Sequence, residues 1–270
     1  MAVKDYLRQR YFPHLWCAGC GHGIIMGNMI RSIEQLGLDK NEIVVVSGIG
    51  CSSRLPGYVD FHTLHTIHGR ALAFAVGVKL GQPELTVIVP MGDGDALSIG
   101  GNHFIHAARR NIDITAIIMN NSIYGMTGGQ FSPLTPFGMK ATTAVTGTID
   151  HAFDTVELAK GAGASFVART TTYHVKEMIK ILQEAFTHKG FSVVEVLTQC
   201  PTYYGRKNRL GSAVDMMREF KESTVQIGSK KKADNPKLIE RGVFVKEEKF
   251  EYTSDYLSMV DEYRKASPSP

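Results

Sequence analysis

The sequence predicts an α/β fold, a doubly wound parallel sheet with helices on both faces. Two patterns predict it. Five short, nearly continuous apolar and β-branched runs end in small or polar residues: "EIVVVSGIG" (42–50), "LTVIVPMGDG" (85–94), "DITAIIMNN" (113–121), "SFVART" (165–170) and "FSVVEVLT" (191–198). Strands covered on both sides read this way, because neither face meets water. Helix-like stretches lie between these runs, and such alternation implies right-handed crossover units and a parallel sheet.

Taken in order, "GIIMGNMIRSIEQLG" (23–37) places Ile25, Met29, Ile33 and Leu36 on one helical face. "GRALAFAVGVKLG" (69–81) is rich in alanine and leucine, both good helix formers. "NHFIHAARR" (102–110) and "HVKEMIKILQEAF" (174–186) repeat the helical spacing. "SIYGMTGGQFSPLTPFG" (122–138) is dominated by glycine, threonine and proline and reads as a loop. Past Cys200 the texture changes. "GSKKKADNPK" (228–237) is polar without period, "GVFVKEEKFEY" (242–252) suits a short hairpin or an arm, and "KASPSP" at the end reads as frayed. The expected organisation is one α/β unit over 1–210 and a C-terminal extension over 211–270.

Composition narrows the class. Of 270 residues, 43% are hydrophobic, enough for one large core, and a net charge of +4 is too mild to imply nucleic acid. "MAVKDYLRQRYF" at the start has no apolar leader segment, and no run approaches the length of a membrane span. A soluble cytoplasmic protein is the expectation. The four cysteines, Cys17, Cys20, Cys51 and Cys200, are then thiols rather than disulfides.

Ligands of open α/β sheets bind outside the carboxyl ends of the strands. Gly92-Asp93-Gly94 ends one strand and Asn120-Asn121 ends the next. If the two strands are neighbours, Asp93 and Asn121 face one crevice. A carboxylate and an amide oxygen are hard ligands of the kind magnesium prefers, completed by water and phosphate. Gly92 and Gly94 let the backbone approach a phosphate, and a helix opening near Ser98 would aim its N–H groups at the anion. A diphosphate held through magnesium is a physically coherent ligand for such a crevice. Gly-Asp-Gly alone also occurs in plain turns; its pairing with Asn-Asn makes the pattern specific.

The pair resembles the thiamine diphosphate signature of transketolases, decarboxylases and 2-oxoacid oxidoreductases. There the aspartate, the second asparagine and a backbone carbonyl two residues later bind magnesium, which implies Asp93, Asn121 and Ile123. "WCAGCGHG" (16–23), "SGIGCSSR" (47–54), "HTIHGRA" (65–71) and "CPTYYGRKN" (200–208) extend the likeness. With them, residues 12 to about 210 resemble the β subunit of 2-oxoacid:ferredoxin oxidoreductases. The resemblance implies a sheet of the thiamine diphosphate-binding, diphosphate-domain type with an N-terminal cluster loop.

The cysteines alone leave zinc and an iron–sulfur cluster open, since thiolates suit both. The resemblance implies one 4Fe–4S cluster on Cys17, Cys20, Cys51 and Cys200. It also implies thiamine contacts from Ile49, Gly50, Cys51, Ser52 and His68, and from Gly94, Asp95, Gly125 and Met126. Met126 is apolar and suits either the substrate pocket or plain packing. Arg54 suits a bidentate grip on a substrate carboxylate, or a surface position. The basic runs "GRKNR" (205–209) and "KKK" (230–232) suit an acidic ferredoxin or plain solvation.

The activity so implied is oxidative decarboxylation of a 2-oxo acid, with coenzyme A taking the acyl group and ferredoxin the electrons. "TGGQFSPLTPFG" (127–138) and "CPTYYGRKN" resemble the 2-oxoglutarate branch most, with pyruvate and branched-chain acids open. No second domain for the aminopyrimidine is visible, which implies a heteromer with an α subunit, and γ and δ subunits are compatible with it. Two other classes stay in view: a cluster-free thiamine decarboxylase or transferase, and a zinc-binding interaction module.

Overall fold

The structure, a computed structural model, describes residues 3–266. The Ser-Pro end of the chain, read from the sequence as frayed, falls outside them. The strands are β1 (Ile43–Ser47), β2 (His62–His65), β3 (Thr86–Gly92), β4 (Thr115–Asn120), β5 (Phe166–Thr171), β6 (Ser192–Leu197), β7 (Thr224–Gln226) and β8 (Ile239–Lys246). The helices before β5 are α1 (His22–Leu36), α2 (Leu55–Tyr58), α3 (Ala71–Gly81), α4 (Asp93–Leu97), α5 (Gly101–Arg110) and α6 (Thr155–Ala162). After it come α7 (Val175–Thr187), α8 (Arg206–Asn208), α9 (Ala213–Ser223), α10 (Lys230–Asp234) and α11 (Tyr252–Ala266).

The eight strands form one sheet in the order β2-β1-β3-β4-β6-β5-β8-β7. All pairs are parallel except β5 with β8, as the expected α/β class requires. Alternation along β1 shows how both faces are covered. Ile43 and Val45 join Ile25, Met29 and Ile33 of α1 and Met178 and Leu182 of α7 in one core. Val44 and Val46 join Leu72 of α3, Phe104 of α5 and Val156 of α6 in the other. Each such buried aliphatic or aromatic side chain contributes roughly 1.5–3 kcal/mol of transfer free energy.

The differences from the sequence expectation have physical reasons. β2 reads "HTLH" and lies largely exposed at the sheet edge, so it needs no apolar run. The helix expected to open near Ser98 opens at Asp93 instead. Asp93 and Asp95 occupy the first turn of α4, where carboxylates complement the free N–H groups, and Ser98 ends it. "GVFVKEEKFEY" supplies most of β8 rather than a hairpin, adding an antiparallel strand to β5 with a register shift between Val167 and Ala168.

Candidate active site

Parallel register sets Gly92 of β3 beside Met119 of β4, so Asp93 and Asn121 follow adjacent strand tips. Both line one narrow cleft of about 60 Å³, together with Gly94 and Ile123. Asp93 is 2% exposed. Burial pushes its carboxyl up to about 7, against the hydrogen bond that the Ser132 hydroxyl donates to it. A desolvated carboxyl with no cationic side chain against it suits a bound cation. The Asn121 side-chain oxygen accepts the Ile123 N–H at 3.3 Å, folding the chain into a tight turn at the cleft wall.

Ile49, Gly50, Cys51, Ser52 and His68 line the cleft from the loops after β1 and β2, and Gly125 and Met126 from the loop after β4. Asp95 also lines it, but its carboxylate turns inward. One oxygen accepts the N–H of Gly69 at 2.7 Å and of Ile49 at 3.3 Å, and stands 2.5 Å from His68 Nδ1. The side chain ties three loops together instead of facing a phosphate. A Cβ on Gly94 would run into the Tyr124 ring, whose hydroxyl donates to the Gly94 carbonyl at 3.1 Å. Only glycine permits that close approach.

His22 Nδ1 and Ser52 Oγ, of two residues that line the cleft, are buried without a hydrogen-bond partner, whereas the unpartnered Asp95 Oδ2 lies against Gly48. Buried polar atoms without partners are rare, so a concentration of them marks a place where a ligand completes the bonding. The hard oxygens of Asp93 and Asn121 and the orphaned Ser52 hydroxyl fit magnesium and a diphosphate cofactor.

The cysteines are gathered by backbone tethers. Trp16 Nε1 donates to the Cys51 carbonyl at 2.7 Å, pinning the N-terminal loop to the loop after β1. Gln199 Nε2 donates to the Gly19 carbonyl at 3.1 Å, and Gly21 N–H to the Gln199 carbonyl at 3.3 Å. Those bonds bind the same loop to the end of β6, beside Cys200. The sulfurs of Cys51 and Cys200 both flank Gly125, at 3.3 and 3.9 Å from where its Cβ would be. All four thiols are close enough to influence one another electrostatically.

Burial pushes the Cys20 thiol up to about 12 and Cys51 to about 11, and raises Cys200. Opposing this, backbone N–H groups face the sulfurs: His22 toward Cys20, Met126 toward Cys51, Tyr203 and Tyr204 toward Cys200. Such donors favour thiolate and tune iron–sulfur centres. Among the described residues, no three His, Cys, Asp or Glu side chains close on a point that would hold a single ion. Four thiols brought together in this way are a donor set of the kind iron–sulfur clusters take.

Arg54 is exposed and does not line the cleft; its charge acts on Cys51. Met126 is 42% exposed at the cleft, which removes it from the packed core. A larger cavity of about 910 Å³ lies past Asn121 under the C-terminal segment, bordered by Arg169, Glu195 and Tyr204. There Arg169 is spent on Glu195 and Asp154, whereas the smaller cleft is lined by the unpartnered His22 and Ser52 and by Cys51. Three contributors escape sequence reasoning: Ser132, Tyr124 and His22. Ser132 carries no motif; His22 sits in full view, two residues after Cys20 at the head of α1.

Residues 48–196 match the thiamine pyrophosphate enzyme C-terminal TPP-binding domain. The chain is 49% identical over 260 residues to the 2-oxoglutarate synthase subunit KorB of Methanothermobacter thermautotrophicus, covering 95% of this chain and 91% of that protein. This chain belongs to the 2-oxoacid:ferredoxin oxidoreductase β-subunit family. A second family member, KorB of Methanocaldococcus jannaschii, is 45% identical over 262 residues, covering 96% and 97%. A solved 2-oxoglutarate:ferredoxin oxidoreductase from Magnetococcus marinus, with 2-oxoglutarate, coenzyme A and succinyl-CoA bound, superposes with a TM-score of 0.88. It is 30% identical, covering 100% of this chain and 97% of that one. In this β-subunit-family chain, no helix among the described residues is long and apolar enough to cross a membrane.

Proposed function

We propose that the chain is the catalytic β subunit of a 2-oxoglutarate:ferredoxin oxidoreductase. The reaction is oxidative decarboxylation of 2-oxoglutarate to succinyl-CoA and carbon dioxide, with electrons leaving to ferredoxin. One observation carries the reading. Cys51 lines the same cleft as Asp93 and Asn121, so the cysteine centre and the diphosphate-binding strand tips share a wall. Relatives named as 2-oxoglutarate synthase subunits over nearly the whole chain favour that acid over pyruvate or branched-chain acids.

When bound, thiamine diphosphate supplies the nucleophilic carbon and electron sink, and a 4Fe–4S cluster carries the two electrons away singly. This chain's residues hold and orient those groups. Asp93, Asn121 and the Ile123 carbonyl would hold magnesium against the diphosphate. His68, fixed by Asp95, would approach the diphosphate beside Gly94, and Ser52 would add its free hydroxyl. Ile49, Gly50, Gly125 and Met126 wall the cofactor. Cys17, Cys20, Cys51 and Cys200 would hold the cluster, and Arg54 the substrate carboxylate at a completed rim.

A cleft of about 60 Å³ is far smaller than the hundreds of Å³ that enclose a cofactor. The cofactor therefore needs a second surface, and Ile67, Ile99 and Met126 offer exposed apolar contacts for one. The fitting partner is an α subunit carrying the pyrimidine half, with γ and δ subunits compatible. The basic run 205–209 suits docking of an acidic ferredoxin.

The test is co-expression with the partner subunits and anaerobic purification. Expected are bound iron, sulfide and thiamine diphosphate, and 2-oxoglutarate- and coenzyme A-dependent ferredoxin reduction, exceeding that with pyruvate or branched-chain acids. Zinc without sulfide would point to the interaction module, and a colourless active enzyme to a cluster-free thiamine enzyme.

A further inference from the structure

We propose that His22 is a substrate-binding residue of the cofactor cleft, donating a hydrogen bond from Nδ1 to an acceptor oxygen of the 2-oxo acid. The inference rests on the functional reading above and adds a residue to it.

His22 is 1% exposed, and among the described residues its Nδ1 is buried without a hydrogen-bond partner. Other histidines that contact polar neighbours behave differently. His68 faces Asp95, His65 faces Ser47, His174 faces Thr171 and His188 faces Ser165, each through a ring nitrogen. A buried imidazole left unpaired is costly unless a ligand completes it. Its ring packs edge-on to Trp16, at 5.9 Å between centroids. Its remaining surroundings include the cleft itself, which it lines with Cys51, Asp93 and Gly125.

Position suits the role. His22 is the first residue of α1, a helix of 15 residues whose N-terminal end favours negative charge. Its backbone N–H faces the Cys20 sulfur, which places the residue beside the cysteine loop. The side chain thereby stands where the cysteine centre and the cofactor cleft meet. A 2-oxo acid offers only acceptor oxygens at its reacting end, on the carboxylate and the ketone. An imidazole N–H is the complementary donor.

The test compares three variants in the purified complex with its partner subunits. His22→Asn keeps an amide N–H near the Nδ1 position, His22→Gln moves it toward Nε2, and His22→Phe keeps the packing against Trp16 without a donor. The readouts are KM and kcat for 2-oxoglutarate, the calorimetric Kd for succinylphosphonate as a non-decarboxylating analogue, thiamine diphosphate affinity, and iron content. Expected is a rise of at least about tenfold in KM and in the analogue Kd for His22→Phe and His22→Gln, as one lost hydrogen bond gives. His22→Asn stays within about threefold of wild type, the margin a repositioned donor leaves, with cofactor affinity and iron content unchanged in all three. An unchanged analogue Kd in His22→Phe overturns the proposal, as does equal damage in His22→Asn. Parallel loss of thiamine diphosphate or iron in His22→Phe assigns the residue to cofactor or cluster and also overturns it. Failure of the functional reading looks different: the wild-type complex itself then oxidises no 2-oxo acid.

Discussion

Asp95 holds His68 by a contact of 2.5 Å between its carboxylate and Nδ1, and the same oxygen accepts the Gly69 N–H at 2.7 Å. A carboxylate accepts only, so Nδ1 carries the proton and Nε2 alone is left to face the cleft. Under the proposed function, Asp95 is a positioning residue that acts on the cofactor through His68. Asp95→Asn keeps the volume and weakens that hold. Thiamine diphosphate affinity, measured calorimetrically with magnesium present, should fall by about tenfold, the lower end for loss of an orienting partner. An unchanged affinity would sink this role.

Asp93 and Asn121 make a more severe test. Both are buried at adjacent strand tips, and among the described residues no cationic side chain pairs with Asp93. In the proposed magnesium set Asp93 is the one charged ligand, and Asp93→Asn removes it. Cofactor affinity should drop by about 10²-fold or more, as expected when a charged ligand of a hard cation is lost. Raising magnesium should recover little of it. Titration of thiamine diphosphate at two magnesium concentrations reads both effects.

Much of this site is legible in the sequence because its chemistry sits at strand ends. A buried parallel strand reads as a mainly apolar run, so the polar residues just past it, Asp93 and Asn121, announce the crevice edge. Cys51 and Cys200 stand out for the same reason, each following a strand. β2 escapes because an exposed edge strand needs no apolar run, and β7 because it has three residues. The inward turn of Asp95 escapes because motif spacing places a residue without orienting its carboxylate. His22 escapes for another reason: only burial without a partner separates it from an ordinary helix-start histidine.

Cys200 tests the cysteine centre. Its sulfur flanks Gly125 with that of Cys51, and two backbone N–H groups face it. Cys200→Ser replaces a soft thiolate with a poor ligand for iron. Anaerobically purified complex should lose most of its iron, sulfide and visible charge-transfer absorption. The chain should stay folded, because Cys200 belongs to a small satellite cluster with Ile123 and Ala141 rather than to either main core. Full iron content in this variant would remove Cys200 from the ligand set.

The last expectation concerns stability behind the site. Glu195 of β6 is 1% exposed and sits in the sheet interior. Arg169 Nε lies 2.5 Å from one carboxylate oxygen, while Thr155 and Asn120 donate to the other at 2.6 and 2.9 Å. Arg169 also bonds Asp154, which caps α6 by accepting from Val156 and Glu157. Removing one partner of a buried ion pair strands the other, so Arg169→Leu should destabilise the chain by about 3–5 kcal/mol. Arg169→Leu with Glu195→Leu should recover much of that, because the stranded charge is gone. Asp154→Ala removes a cap and should cost about 1 kcal/mol. Burial acts to raise the Asp154 carboxyl, but Arg169 and the cap hold it below the usual range. A depressed carboxyl contributes stability above its unfolded value of about 3.9, and that contribution disappears as pH falls through the folded value. Acidification below about pH 4 should therefore erode wild type more than Asp154→Asn. Denaturant midpoints at fixed protein concentration, at neutral and acid pH, measure all four variants; equal midpoints for Arg169→Leu and wild type would show that the pair is not buried as described.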